Sequence, residues 1–343
     1  MSKRILVFRF SALGDVAMTI PVLWSLSAQY PEYEIVFVSR SFVGKLFEPL
    51  NNVRFIGVDF NIRYKGFWGL IKLFQDLKKE GPYDFIADLH GVLRTRVLKT
   101  FFMFNGLPSF TIDKGRSDKK RLIRKQNKVF KQLATSFENY RQVFVKGGLD
   151  FDFKIFPGRQ LYCGKKTPKS FSFLNTDCVK VGFAPFAKHK WKMWPDEKAK
   201  ALVDGMVNSN YQVYLFGGSG FEQKKLDKWA RESSKVHNLA GQYSMDYELH
   251  LMGKLDVMIT MDSANMHLAS LVETPVVSIW GATHPFAGFY GWAQDPELAV
   301  QTDLACRPCS VFGNKKCYRG DFACMQGVNP DMIIQKITNI ISR

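Results

Sequence analysis

Short apolar runs alternate with helix-period segments along the whole chain, and that alternation admits few folds beyond parallel sheets wrapped by helices. Strands are expected at Arg4–Phe10, Glu34–Ser39, Arg54–Val58, Asp84–Leu89 and Ser109–Ile112, then at Val179–Ala184, Gln212–Phe216, Val236–Leu239, Val257–Met261 and Val276–Trp280. Helices are expected at Asp15–Gln29, Phe67–Lys79, Leu93–Phe104, Thr135–Val145, Asp196–Asn208, Glu222–Ser233, Met245–Lys254, Ser263–Val272 and Pro330–Ile341. Between the two series, Pro157–Ser170 has Gly, Pro, Lys and Thr but no periodicity, and reads as a linker. The 343 residues suit two domains. We place them at 1–165 and 166–343, both α/β and doubly wound, with a ligand cleft between the carboxyl ends of their sheets.

Charge narrows the partners. The chain has 48 Lys and Arg against 31 Asp and Glu, a net charge of +17. Residues 1–150 hold 25 basic and 13 acidic side chains, and the remainder holds 23 and 18. The front half is therefore expected to meet something anionic, although a plain bias toward Lys gives the same count. No stretch reaches the roughly 18 apolar residues of a membrane-spanning helix. Arg9 and Asp15 interrupt the apolar start, so it does not read as a secretory signal. A soluble, cytoplasmic protein is the expectation.

Four loops carry candidate chemistry. Phe10-Ser11-Ala12-Leu13-Gly14-Asp15 lacks the glycines of a dinucleotide fingerprint and the lysine of a P-loop, which argues against an oxidoreductase or an NTPase. Asp15 reads either as a carboxylate complementing a helix N-terminus or as a general base. In Pro185–Pro195, Lys188, His189, Lys190 and Lys192 can be cationic beside a helix start, which suits a pyrophosphate; a solvated basic loop is the alternative. Phe216-Gly217-Gly218-Ser219-Gly220-Phe221-Glu222 offers close backbone approach and a carboxylate for a ribose diol. In Thr260-Met261-Asp262-Ser263-Ala264-Asn265-Met266-His267 a buried strand meets a helix. There Ser263 is a natural N-cap, or the helix start holds phosphate while Asp262 meets sugar hydroxyls.

Together the Ser11–Asp15 loop, Lys192-Met193-Trp194-Pro195, Gly217-Gly218 with Glu222, and Asp262-Ser263 with His267 resemble glycosyltransferase family 9. Asp84–Leu93 is also similar to a family strand, and the likeness runs over nearly the whole chain. The resemblance implies a GT-B fold of two Rossmann-like domains, an N-terminal one for the acceptor and a C-terminal one for the nucleotide sugar. It implies inverting, metal-independent transfer of heptose from ADP-heptose to a hydroxyl of the lipopolysaccharide inner core. Residue by residue, Asp15 matches the catalytic base, Lys192 the diphosphate lysine, Glu222 the ribose contact and Asp262 the donor-sugar residue. Lys188, Gly218, Ser263, Ala264 and His267 complete the expected donor site. The chain departs from the pattern at Ala264, where Gly is common, and at Ala187-Lys188, where Thr-Thr is frequent.

In such an enzyme the basic stretch with Arg116, Lys119, Lys120, Arg121 and Arg124 is expected to face lipid A phosphates or the anionic inner membrane, giving peripheral association. Phe101–Phe104 lies just upstream and reads either as a cluster that dips into the membrane interface or, more simply, as core packing. Cys306, Cys309, Cys317 and Cys324 have a spacing that suits a structural zinc, while catalysis is expected to need no cofactor. No nucleic acid is expected as partner. The alternatives are a GT-B transferase for another nucleotide sugar or glycan acceptor, and a non-catalytic lipid- or nucleic-acid-binding protein on a transferase fold.

Overall fold

The computed structural model describes residues 3–164 and 169–342. In chain order the elements are β1 (Lys3–Phe8), α1 (Leu13–Ala17), α2 (Ile20–Gln29), β2 (Tyr33–Arg40), β3 (Val53–Val58), α3 (Gly66–Glu80), β4 (Phe85–Asp88), α4 (Leu93–Met103), β5 (Ser109–Thr111), α5 (Arg116–Leu122), α6 (Ser136–Lys146) and α7 (Gly158–Cys163). There follow β6 (Lys180–Ala184), α8 (Asp196–Asn208), β7 (Gln212–Leu215), α9 (Phe221–Ala230), β8 (Val236–Asn238), α10 (Met245–Met252), β9 (Val257–Met261), α11 (Ala264–Leu271), β10 (Val276–Trp280), β11 (Ala299–Gln301), α12 (Ala323–Gln326) and α13 (Pro330–Ile341).

The chain forms two compact units, Met1–Lys114 with Ser136–Phe156, and Gly115–Thr135 with Pro157–Arg343. This differs from a single division at 165/166: the basic stretch crosses into the second unit before the chain returns to complete the first. Lys128 Nζ donates to the carbonyls of Arg307 (2.6 Å) and Pro308 (3.0 Å), and the Leu133 amide donates to the Phe286 carbonyl (2.9 Å). Such bonds to distant backbone leave no local sequence signature. The opening of the expected linker is also structured. It forms α7, whose Arg159 Nη2 donates to the Glu273 carbonyl at 3.1 Å; residues 165–168 lie outside the described residues.

The first sheet runs β3-β2-β1-β4-β5, with all pairs parallel. α3 and α4 bury Leu70, Leu73, Leu77, Leu98 and Phe102 against Leu6, Phe8, Val36, Val38 and Ile86. The helix expected at Asp15–Gln29 is two helices. Pro21 lacks an N–H for a continuous ladder and falls instead in the first turn of α2, where the missing donor has no partner to lose.

The second sheet runs β11-β10-β9-β6-β7-β8, again parallel, and β11 was absent from the strands expected on sequence. Both orders reverse direction beside their first strand, between β1 and β4 and between β6 and β9. Ligands of open α/β sheets collect outside the carboxyl ends of strands at such a reversal. That rule selects four loops, after β1, β4, β6 and β9.

Candidate active site

In the first unit the chain leaves β1 through Arg9, which is only 6% exposed. Its guanidinium donates to the Leu89 carbonyl (2.7 Å), lies 5.6 Å from the Tyr140 ring and pairs with Asp15 Oδ1 at 2.7 Å. Burial opposes the Arg9 charge, but Tyr140 and Asp15 outweigh it and raise its pKa. The Ala12 amide donates to the other Asp15 oxygen at 3.0 Å. Asp15 is thus held on both oxygens, while its side chain stays 31% exposed. A fixed carboxylate that solvent still reaches can accept a proton from a bound hydroxyl.

Across the same reversal, β4 ends at Asp88, which is fully buried. Its Oδ1 accepts the amides of His90 (3.0 Å) and Gly91 (2.8 Å), and its Oδ2 faces Lys99 Nζ at 3.3 Å. His90 Nδ1 accepts the Phe10 amide at 3.3 Å. Burial, then the Arg9 and Lys114 charges, lowers the His90 pKa to about 4. The ring is neutral at physiological pH, with its proton on Nε2. Sequence reasoning missed Arg9, Asp88 and His90 as site residues. Their only signal was polarity at the ends of apolar runs.

In the second unit the reversal brings together two of the expected donor residues. Lys192 Nζ lies 2.8 Å from Asp262 Oδ2, joining the loop after β6 to the end of β9. Asp262 is 5% exposed. Buried carboxylates are found paired in this way. The Lys192 stem passes over Gly313, a position with φ +69° where a Cβ would come within 2.2 Å of Lys192 Cγ. Gly313 therefore holds open the lysine's path, a role that sequence reading gave no reason to assign.

Ser263 takes the N-cap position of α11 in extended backbone, yet its hydroxyl makes no cap bond; Oγ is buried without a hydrogen-bond partner. Ala264 begins the helix, and His267 is buried one turn on. The Gly218 amide donates to Glu222 Oε2 at 2.7 Å, folding the glycine-rich turn onto the start of α9. Lys188 is exposed on the loop after β6.

The remaining expectations divide. Arg116, Lys120 and Arg124 are exposed, Arg121 pairs with Asp118, and Lys119 lies over the Phe289 ring at 4.4 Å. The zinc site expected from Cys306, Cys309, Cys317 and Cys324 is not formed. Among the described residues no group of three or more His, Cys, Asp or Glu is placed to hold a metal ion. Cys324 belongs to the second core, where burial pushes its thiol up to about 11. Arg307, between the first two cysteines, organises this segment instead. Buried to 5%, it donates to the carbonyls of Gly281 (2.6 Å), Thr302 (2.6 Å), Trp280 (3.1 Å) and Thr283 (3.1 Å).

His284 repeats the His90 arrangement: its Nδ1 accepts the Phe286 amide at 3.1 Å, and burial, then Arg307 and Lys128, lowers its pKa to about 4. Below the ordinary value of 6.5 the unfolded chain takes up protons that both folded rings refuse. Their stabilisation is therefore complete above pH 6.5 and is lost as the pH falls towards 4. Glu248 works in the opposite sense, since burial raises its pKa from 4.5 to about 7. Thermal unfolding is expected to show Tm falling from pH 6.5 to 4, with a shallower fall in His90→Asn/His284→Asn. An unchanged slope in that variant would contradict the assignment.

A model of glycosyltransferase family 9 (heptosyltransferase) matches residues 70–316. Lipooligosaccharide heptosyltransferase 2 of Campylobacter jejuni is 22% identical over 339 residues, covering 96% of each chain. Among solved structures, a family 9 glycosyltransferase of Veillonella parvula superposes with a TM-score of 0.74 at 18% identity, covering 99% of this chain and 97% of that one. The E. coli heptosyltransferase WaaC, solved with ADP, gives 0.70 at 17% identity, with 98% and 99% covered. The structural likeness shows a GT-B fold, and the sequence match runs through both of its sheets. The chain belongs to glycosyltransferase family 9, the heptosyltransferases.

Proposed function

We propose that this chain transfers heptose from ADP-heptose to a hydroxyl of the lipopolysaccharide inner core, with inversion and without a metal ion. The observation that carries the reading is the Lys192–Asp262 pair at the reversal of the second sheet, where a sheet of this order takes its nucleotide. The relatives support the sugar and acceptor: one is named for lipooligosaccharide heptosyl transfer and another was solved with ADP.

Asp15 takes the proton from the acceptor hydroxyl as that oxygen bonds to the anomeric carbon, on the face opposite the leaving group. The bond from that carbon to the diphosphate oxygen breaks, and ADP departs with the electron pair. Lys192, the amides at the start of α11 and the Ser263 hydroxyl offset the charge gathering on the diphosphate. Asp262 meets the heptose hydroxyls, with Ala264 and His267 shaping that pocket. Glu222, beside Gly218, accepts from the ribose, and Lys188 adds charge at the loop. Arg116, Lys120 and Arg124, with Lys119 and Arg121 beside them, meet phosphates of the acceptor. The protein acts from the cytoplasmic side, peripheral to an anionic membrane; among the described residues no helix is long and apolar enough to cross one.

Incubation with ADP-heptose and a core acceptor should release ADP and add one heptose mass to the acceptor. ADP should displace a fluorescent ADP analogue where UDP and GDP do not. Equal competition by UDP or GDP, or no mass gain, would refute the donor assignment.

A further inference from the structure

The outward side of α3 and α4 is unlike the rest of the first unit. Its inward side fills the core with Leu70, Leu73, Leu77, Leu98 and Phe102. Outward, Trp68 is 79% exposed, Phe67 57%, Met103 58% and Phe104 85%. The rings are continuous. Trp68 lies 6.0 Å from Phe67, which lies 6.1 Å from Phe101 on the neighbouring helix; Met103 ends that helix and Phe104 caps it. Isolated surface hydrophobics need no explanation, whereas a run of large exposed rings across two helices marks an interaction surface.

Charge identifies the partner. Residues 61–75 and 89–112, which contain this face, carry no Asp or Glu. They carry Arg63, Lys65, Lys72, Arg94, Arg96 and Lys99. Arg63 pairs with Asp76 and Lys99 with Asp88, while Lys65, Lys72, Arg94 and Arg96 are exposed. Lys72 stands one turn along α3 from Trp68, the spacing of one helix face. Rings that can enter an acyl boundary, beside four exposed cations and with Asp76 and Asp88 paired to Arg63 and Lys99, match the chemistry of an anionic lipid headgroup layer. A protein partner would have to cover the rings and neutralise every cation. A bilayer does both.

We propose that the outer face of α3 and α4 is the surface by which the protein lies on an anionic bilayer, with Trp68, Phe67, Met103 and Phe104 entering the headgroup–acyl boundary. This rests on the peripheral membrane association in the function above, and it places the contact away from the basic stretch at 116–131. Those cations are partly committed within the second unit, Lys119 over Phe289, Lys125 over Tyr318 and Lys128 on two carbonyls.

Sedimentation of the full chain with phosphatidylcholine vesicles, with and without phosphatidylglycerol, tests the assignment. The wild type is expected to bind only the anionic vesicles. Trp68→Ser/Phe104→Ser should weaken that binding by about tenfold for each ring withdrawn. Arg94→Gln/Arg96→Gln should weaken it by about fivefold per charge and reduce its salt dependence. Lys120→Gln/Arg124→Gln should bind as the wild type does. Binding indifferent to anionic lipid overturns the proposal, as does binding lost in the Lys120/Arg124 variant but retained without the rings. So does a wild-type dimer that the ring variant turns monomeric with vesicle binding unchanged, since the face would then join two copies. Turnover on a water-soluble core fragment, measured without lipid, separates the two claims. The ring variant should retain it. Product formation without vesicle binding would overturn the surface alone; vesicle binding through these residues without any product would overturn the transferase reading alone.

Discussion

Asp15→Asn is expected to fold and to bind ADP as the wild type does, while turnover falls by about 10²–10⁴. The amide keeps an oxygen for the Ala12 amide and nearly the same shape, but its NH2 replaces the oxygen that Arg9 pairs with, so the ability to take a proton is lost together with that ion pair. Asp15→Ala should be as slow and also less stable, by about 1–3 kcal/mol, because the buried Arg9 donor facing it loses its acceptor. Steady-state kinetics with ADP-heptose and a core acceptor, paired with ADP titration, gives both quantities. Wild-type turnover in the asparagine variant would mean that the proton goes elsewhere.

Lys192→Ala should affect stability and binding together. Asp262 would be left as a buried carboxylate without its cation, a loss of about 3–5 kcal/mol where one partner of such a pair is removed. ADP affinity should fall by about tenfold to a hundredfold, the value of a charge-assisted contact to phosphate. The two effects separate in Lys192→Ala/Asp262→Ala. Removing the stranded charge should recover much of the unfolding free energy, with ADP still bound weakly. Recovery of ADP affinity in that double variant would show that Lys192 serves Asp262 and not the diphosphate.

Much of this was readable beforehand, for a physical reason. Strand cores and helix faces follow local periodicity, so β9, β10, α8 and α13 fall where apolar spacing puts them. The loops after β1, β6 and β9 carry polar residues at strand ends, a local signal as well. What escaped depends on contacts between distant parts of the chain. The Arg307 carbonyl partners belong to β10, to the turn after it and to Thr302, so its spacing among cysteines suggested metal instead. Gly313 matters only because Lys192 passes over it. The transfer of 115–135 into the second unit hangs on carbonyls far along the chain, and no pattern within the stretch announces them.

That transfer has a consequence during synthesis. Lys128 emerges from the ribosome 179 residues ahead of Arg307. At roughly 5–20 residues per second, the wait is about 10–35 s. The first unit has all its residues once Phe156 is made, yet through that interval it carries an undocked ribbon rich in lysine and arginine, with Phe130 still waiting for His284 and Phe286. A nascent chain stalled before residue 307 is therefore open to trypsin-like cleavage within that ribbon, and only completion of the carboxyl-terminal sheet closes the seam.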